Sequence, residues 1–396
     1  MAKQSNFTIE DIQKELRSIN PFGNTLDNSE SATVSDWYGT GNYHLNAAIS
    51  SDLFKGIPNN KSIMLSGESG AGKTFLALNL CREAQLKGAY VLYYDSEGAI
   101  DFTSVKSFGI DPKRFDHQPV ADLNAFRTSI TTLTKKLMEV KLSKGNIPKL
   151  FVVLDSLGML ATKKEIDDAI SGNTAADMTR AKMIRSLFRI ITSDLSNLGI
   201  PFVVLNHTYD STGFIPTINV SGGGGVKYAT SFMLNLTKAQ IKEGTVKTGI
   251  IVSVNTMKNR FAKPIPIKLH IRWDSGMNPY IGMEEYISWD TCGIQKGSLL
   301  TEKEYEKLTQ SDKDKCSKFE HEGKNLVFYP KETGTKFVIK HLGDAIQANK
   351  LFTKEVFTQE VLEMINEKCI KPRFSYGTGE DAISDEVDNF LNEDAE

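Results

Sequence analysis

Between residues 37 and 280 the chain repeats one pattern: a short apolar run, a polar turn, then a stretch long enough for a helix. The runs are SIMLSG at 62–67, AYVLYYD at 89–95, LFVVLDS at 150–156, PFVVLNH at 201–207 and FMLNL at 232–236. They are apolar throughout rather than alternating, so both sides of each strand need cover. A mostly parallel sheet with helices on both faces, an α/β core, is the expected result. Three runs end on polar groups: Asp95, Asp155, and Asn206 with His207. Ligands of open α/β sheets sit beyond the carboxyl ends of the strands, so chemistry is expected at these positions.

The ends of the chain follow other patterns. Phe7, Ile9, Ile12 and Leu16 share one side of a short helix, followed by a polar linker over 24–35; a helix this short cannot bury an apolar side alone and is expected to dock on its own core or on a neighbouring subunit. After Tyr280 the sequence becomes mixed and charged, which suggests a small α+β domain to about Phe374. The final stretch, GEDAISDEVDNFLNEDAE, has many carboxylates and no Lys or Arg, and reads as a solvated tail. The expected division is an N-terminal helix and linker over 1–35, a core over 36–285, a small domain over 286–375 and an acidic tail over 376–396.

Composition narrows the class. At 396 residues the chain exceeds a single compact core, so one large domain with smaller attachments is expected. A hydrophobic fraction of 40% and a charged fraction of 24% are ordinary for a soluble globular protein. The net charge of -2 creates no overall field for a polyanion, so any nucleic-acid contact must come from a local basic patch. Cys81, Cys292, Cys316 and Cys369 are far apart and form no CxxC pair, and no HExxH occurs. Reduced thiols in a cytoplasmic protein fit better than a disulfide frame or a zinc site. No signal-peptide core and no bilayer-length apolar run is present, so no membrane partner is expected.

Residues 67–74 read GESGAGKT, which satisfies G-x-x-x-x-G-K-[ST] between an apolar strand and a helix-like stretch. In that context the motif is a P-loop rather than a ligand-free glycine turn. Its glycines let backbone amides turn towards phosphate oxygens, Lys73 neutralises phosphate charge, and the Thr74 hydroxyl is placed to ligate Mg²⁺. Asp155, at the end of a strand, suits a second contact to that ion, with a helix-capping role as the alternative. Asp95 and Glu97 are both candidates for the base that polarises an attacking water, Glu97 being nearer the mouth by strand alternation. Either could instead cap a helix.

Taken in order, GESGAGKT, YYDSEGAID, VVLDSLGML, VVLNHTYD, SGGGGVKYA and MKNR resemble the core of RecA-type recombinases, and within them the UvsX recombinases of T4-like phages. The likeness covers roughly residues 39–280. It implies a RecA-like P-loop fold that binds ATP and Mg²⁺ through Gly67, Glu68, Ser69, Gly70, Ala71, Gly72, Lys73 and Thr74, with Asp155 on the metal. Glu97 falls on the family's catalytic glutamate. Asp101 falls near the adenine-contacting position, while Ser104 stands about where the family has a stacking tyrosine. His207 stands where bacterial RecA has a glutamine that senses the γ-phosphate. Lys258 and Arg260 match cations that the family inserts into the ATP site of the next subunit.

The same resemblance assigns DNA. Residues 208–226 match the second DNA-binding loop, whose glycines, Gly222 and Gly223 among them, would let main-chain N–H groups approach phosphates, with Phe214 as an apolar wedge and Lys227 following. The first loop would lie within 161–179 and lead into a helix over 179–192. There Ala181, Ile184, Phe188 and Ile191 form an apolar stripe, while Lys182, Arg185 and Arg189 form a cationic one; Arg180 or Lys182, and then Arg189, match phosphate-contacting positions. The implied protein is a DNA-dependent ATPase that forms a helical filament of its own copies on single-stranded DNA, takes up double-stranded DNA and exchanges strands. A recombination mediator and a single-strand-binding protein are implied partners. A replicative helicase of the same fold is the nearest rival and would need no glycine-rich apolar loop; an assembly protein using ATP only as glue would not need Lys73, Glu97 and Asp155 together.

Overall fold

The computed structural model describes residues 8–172, 179–210, 218–220, 226–227 and 230–377. In chain order come α1 (Ile9–Ile19), β1 (Trp37–Tyr38), α2 (Tyr43–Ser50), β2 (Ile57–Pro58), β3 (Ser62–Gly67), α3 (Lys73–Leu86), β4 (Tyr90–Asp95), α4 (Phe102–Ser107), β5 (Phe115–Pro119) and α5 (Leu123–Lys144). They are followed by β6 (Leu150–Asp155), α6 (Lys163–Ser171), α7 (Thr179–Leu198), β7 (Phe202–Asp210), β8 (Ile218–Val220), β9 (Phe232–Glu243), β10 (Val246–Lys258), β11 (Ile267–Arg272) and β12 (Gly276–Met277). The chain divides into two compact units that interleave along it. One comprises Met1–Gly41, Lys55–Gln240 and Ile251–Arg260, the other Asn42–Phe54, Ile241–Ile250 and Phe261–Glu396. The limits 35, 285 and 375 run serially along the chain and stand as a proposal.

In the first unit the strand order is β9-β3-β7-β6-β4-β5, all parallel. Every residue of β3 and β6 is buried, which is what their unbroken apolar runs required. One sheet face carries α5 and α7: Phe126, Ile130, Ile184, Leu187, Phe188 and Ile191 close over Val152, Leu154, Phe202 and Val204. The ring of Phe202 lies 6.4 Å from that of Phe126 and 5.9 Å from that of Phe188. The helix α3 packs against β4, β6 and β7 through a buried side that includes Leu76, Ala77, Leu80 and Ala84. Burying each Leu, Ile, Val or Phe among these contributes roughly 1.5–3 kcal/mol, which is why two covered faces hold a sheet this apolar.

The second unit contains α2 and an antiparallel sheet ordered β14-β15-β13-β16-β17, formed by β13 (Ile294–Leu300), β14 (Ser317–His321), β15 (Lys324–Pro330), β16 (Lys336–Ile339) and β17 (Asp344–Gln347). The parallel core and the separate antiparallel sheet agree with the expected fold class. Asn42 caps α2 by accepting from Leu45 N at 2.9 Å, while its amide donates to the carbonyls of Asn278 and Ile281. Trp289 stacks on Phe328 with ring centres 4.0 Å apart.

Three elements differ from the sequence reading. The β7 strand does not stop at His207 but runs on to Asp210, where Thr208, Tyr209 and Asp210 pair antiparallel with β8; polar residues within the strand hid its continuation. The α7 helix extends to Leu198, and Ala181 is exposed rather than part of the apolar stripe, its place taken by buried Leu187. The β9 strand is longer than the run FMLNL because its remaining residues are mostly exposed and polar, and β10, which mixes apolar with polar residues and is half-buried, is not among the runs read as strands. Phe214, Gly222, Gly223 and the acidic tail from residue 378 onward lie outside the described residues.

Candidate functional site

The site is built where β3 ends and α3 begins. At Gly67 a Cβ would collide with the Leu236 carbonyl of the adjacent strand, and Gly72 caps α3 with φ of 88°, so glycine is required at both. The turn brings Lys73 under the loop, buried, with Nζ donating to the carbonyls of Gly67 and Glu68 at 2.9 Å each. Burial holds its pKa below the ordinary lysine value; Glu97 and Asp155 push it back up, and the nearby Lys238 adds to the depression. Lys238, from β9, reaches the loop from outside and donates to Ser69 O at 2.6 Å.

Parallel pairing sets Asp95 opposite Asp155 at the ends of β4 and β6. Asp155 accepts from the Thr74 hydroxyl at 2.8 Å and from the Tyr93 hydroxyl at 2.7 Å through the same oxygen. Its burial raises its pKa against the lowering effect of those two hydrogen bonds, with Glu97 and Asp95 raising it further. The peptide joining Asp155 to Ser156 is cis. Asp155 caps no helix: Ser156 holds the N-cap position of the following short turn.

The two candidate bases separate clearly. Asp95 is buried and accepts from the backbone N–H groups of Glu97, Gly98 and Ala99, at 3.0, 2.8 and 3.3 Å, and pairs with His117 Nε2 at 3.1 Å. It shapes the turn. Glu97 lies beyond the strand and opens to the cavity, where one oxygen accepts from the Ser156 hydroxyl and lies 2.7 Å from His207 Nε2. Burial alone would raise its pKa, but Ser156, His207 and Lys73 outweigh that and hold it below the ordinary glutamate value. It is therefore a carboxylate at neutral pH.

These groups line one cavity of about 250 Å³, formed by Ser69, Gly70, Gly72, Lys73, Thr74, Phe75, Glu97, Asp155 and His207. It is smaller than the roughly 300–1,000 Å³ of a pocket for a whole drug-sized ligand, and suits a phosphate chain whose base lies outside. The donors for a cation are oxygen atoms, the Thr74 hydroxyl and the Asp155 carboxylate. Among the described residues no three of His, Cys, Asp and Glu gather as a metal cage. That combination fits Mg²⁺, which takes few protein oxygens and leans on substrate phosphates.

Other expected residues lie elsewhere. Asp101 is the N-cap of α4, accepting from Thr103 N, Ser104 N and the Ser104 hydroxyl, and it lines a separate 200 Å³ pocket with Phe102, Phe115 and His117. Arg180 turns inward, donating to Gly158 O at 2.7 Å, whereas Lys182 and Arg189 are exposed on α7. Lys258 donates to the carbonyls of Lys227 and Thr230 at 3.0 and 2.6 Å, tying down the segment after the glycine run. Arg260 is exposed. Sequence reading missed Tyr93, Ser156, Phe75 and Lys238. Tyr93 could have been found, since it shares a strand side with Asp95, but nothing in the sequence marks Lys238.

Comparison with known proteins agrees with this geometry. The RecA N-terminal domain family model matches residues 6–278. The "Recombination and repair protein" of Enterobacteria phage T4 is 33% identical over 242 residues, a match spanning 60% of this chain and 60% of that relative. "Protein RecA" of Fusobacterium nucleatum is 26% identical over 228 residues, 57% of this chain and 56% of the relative. The mitochondrial "DNA repair protein recA homolog 3" of Arabidopsis thaliana is 26% identical over 235 residues, 57% and 51% respectively. The chain thus spans little more than half the length of these relatives. With a family model covering the whole parallel sheet and the loop that carries Lys73, the chain belongs to the RecA family.

Proposed function

We propose that the protein is an ATP-hydrolysing DNA strand-exchange recombinase that works as a helical filament of its own copies. The observation that carries the hydrolytic part is the placement of Glu97. Its carboxylate faces the cavity opposite Lys73, oriented by Ser156 and His207. Phosphate oxygens replace the carbonyls of Gly67 and Glu68 as partners of the Lys73 ammonium. Glu97 accepts a proton from water as its oxygen bonds to the γ-phosphorus, and the bond to the leaving ADP oxygen breaks. Thr74 and Asp155 would hold Mg²⁺, which when bound screens the charge on the phosphates.

On this reading His207 reports on the γ-phosphate: it touches Glu97 at one end and continues through β7 into the segment that pairs with β8. DNA is gripped by that segment, with Phe214, Gly222, Gly223 and Lys227, and by the exposed Lys182 on α7. Single-stranded DNA holds the filament and double-stranded DNA is the second substrate, with a mediator and a single-strand-binding protein as partners in the cytoplasm. Lys258 and Arg260 act on the nucleotide of the next copy, and α1 links copies. No helix among the described residues is long and apolar enough to cross a membrane.

The test is Glu97→Gln. It should bind ATP and single-stranded DNA like the wild type but lose turnover by roughly 10²–10⁴-fold, read as phosphate release with DNA present. Turnover at the wild-type rate would remove Glu97 as the base. Strand exchange between a linear duplex and a circular single strand tests the wider reading; fork unwinding without exchange would favour a motor instead.

A further inference from the structure

Glu97 stands two residues past the end of β4, on a turn rather than on the strand, so its place depends on what holds that turn. The β6 side holds it through Ser96, whose N–H donates to Asp155 O at 2.7 Å and whose hydroxyl donates to Ser156 O at 2.7 Å. The other hold is the Asp95 side chain. Its Oδ1 accepts from the N–H groups of Glu97, Gly98 and Ala99, the backbone at and just after the Glu97 side chain. Gly98 completes the turn with φ of 65°. Three amides share one oxygen, so a rotation of this carboxylate would release all of them together.

The second oxygen of Asp95 resists that rotation. Oδ2 lies 3.1 Å from His117 Nε2, its one hydrogen-bond partner among the described residues. Opposite an acceptor-only carboxylate, Nε2 acts as the donor. The contact follows from strand register. In β5 His117 pairs with Tyr93, and Pro119 pairs with Asp95, so His117 stands on the sheet face that carries Tyr93 and Asp95. The stacked rings of Tyr93 and Phe115 belong to the same face. The side chain of Asp95 is 1% exposed and that of His117 is 42% exposed. A carboxylate oxygen that deeply buried is costly without a donor, so on losing the imidazole the group turns or takes up a proton. Either change weakens its hold on the three amides.

His117 does not line the cavity of Lys73, Thr74 and Glu97. Its open side faces the 200 Å³ pocket that it lines with Asp101, Phe102 and Phe115. Any effect on turnover must therefore pass through Asp95.

We infer that His117 is a positioning residue for Glu97: it orients the Asp95 carboxylate, which holds the amides of the turn that presents Glu97 to the cavity. This rests on the hydrolytic reading above and extends it to a residue on the neighbouring strand, outside the cavity. A general base works at roughly 2.6–3.2 Å from the proton it takes, and a misplacement of about 1 Å costs on the order of 100-fold. Because Ser96 still ties the turn to β6, the loss on removing His117 is partial.

The experiment uses His117→Leu, His117→Ala and His117→Gln in the full chain, together with Glu97→Gln alone and combined with His117→Leu. His117 lies on the edge strand β5 and is partly exposed, so the core is left intact. Thermal melts confirm folding, and the alanine variant keeps the inference testable if the leucine variant melts. Phosphate release with single-stranded DNA should show kcat lowered by about 10–100-fold in the leucine and alanine variants. Their KM for ATP and their affinity for a fluorescent ATP analogue should stay at wild-type values, since Lys73, Thr74 and Asp155 are untouched. His117→Gln, which returns an N–H donor close to the position of Nε2, should recover most of kcat. Adding His117→Leu to Glu97→Gln should lower turnover by no more than about twofold further, because no base is left to position. Wild-type kcat in the leucine and alanine variants would overturn the inference. So would no recovery with glutamine, a weakening of nucleotide binding that matches the fall in kcat, or a full multiplicative loss in the combined variant. Wild-type turnover by Glu97→Gln is a different result: it would overturn the hydrolytic reading, and the role of His117 with it.

Discussion

Tyr93 sends its hydroxyl to the Asp155 oxygen that Thr74 also reaches, and its ring stacks on Phe115 with centres 5.3 Å apart. Tyr93→Phe keeps the ring and removes the donor. The Mg²⁺ concentration for half-maximal nucleotide binding should rise about tenfold, as for other residues that orient a metal ligand. A Mg²⁺ titration of analogue fluorescence reads this directly, and an unchanged requirement would discard the role. The pH response has a definite sign. The Asp155 carboxyl is already raised by burial, and the Tyr93 hydrogen bond opposes that rise. Without it the carboxyl is raised further, so metal-dependent binding in the variant should fail at a higher pH as acid is added. Lys73, Thr74, Glu97, Asp155 and His207 could be read from the sequence because each closes a strand or a motif. Tyr93 was legible only through its alternation with Asp95 on one strand, and Ser156 and Lys238 were not legible, because their roles depend on strand register and on a neighbouring strand reaching over the loop.

The apolar runs were legible as strands because each is buried on both faces, and the order of motifs placed the helices between them. What escaped were the stretches whose pattern is polar, such as the far part of β9 and the extension of β7, and β10, whose apolar centre is flanked by polar residues on both sides. The α2 helix escaped as well: it begins inside TGNYHLNAAI, yet Leu45, Ala47, Ala48 and Ile49 are buried together with His44. His44 accepts from or donates to the Tyr286 hydroxyl at 2.8 Å, its Nδ1 has no partner, and a Cβ on Gly282 would collide with its ring. Burial, aided by the Arg373 charge, lowers its pKa from 6.5 to about 4. The folded state therefore binds fewer protons than the unfolded one between these values. This contribution is fully present above pH 6.5 and is lost as pH falls towards 4, by up to about 3 kcal/mol. Denaturant unfolding at steps across that range should show stability rising with pH, and the imidazole resonances of His44 should stay neutral down to about pH 4. A flat profile with an ordinary histidine titration would mean that the ring is not enclosed as described.

At the scale of the whole molecule, a chain of net charge -2 has no global field to recruit a polyanion, so binding must be concentrated where cations gather and summed over many copies. The α1 helix bears on how copies meet. It opens with a capping box at Thr8 and Asp11, yet none of its residues is buried: Ile9, Ile12, Leu16 and Ile19 are 75%, 44%, 59% and 74% exposed. An 11-residue helix is marginal in water without a surface to pack on, so this stripe calls for a partner. Every residue of the P-loop cavity lies well beyond it in sequence. Deleting residues 1–22 should therefore leave binding of a fluorescent ATP analogue by separate copies unchanged while raising the protein concentration needed for nucleotide-driven assembly by about tenfold or more. Light scattering across a dilution series separates the two effects. Salt divides the contact between copies further: the α1 contribution is apolar and should resist it, whereas the contribution proposed for Lys258 and Arg260 at the next copy's nucleotide is electrostatic and should fade as ionic strength rises. The truncated protein should accordingly lose assembly at a lower salt concentration than the full chain; if the two curves coincide, α1 is not what holds one copy to the next.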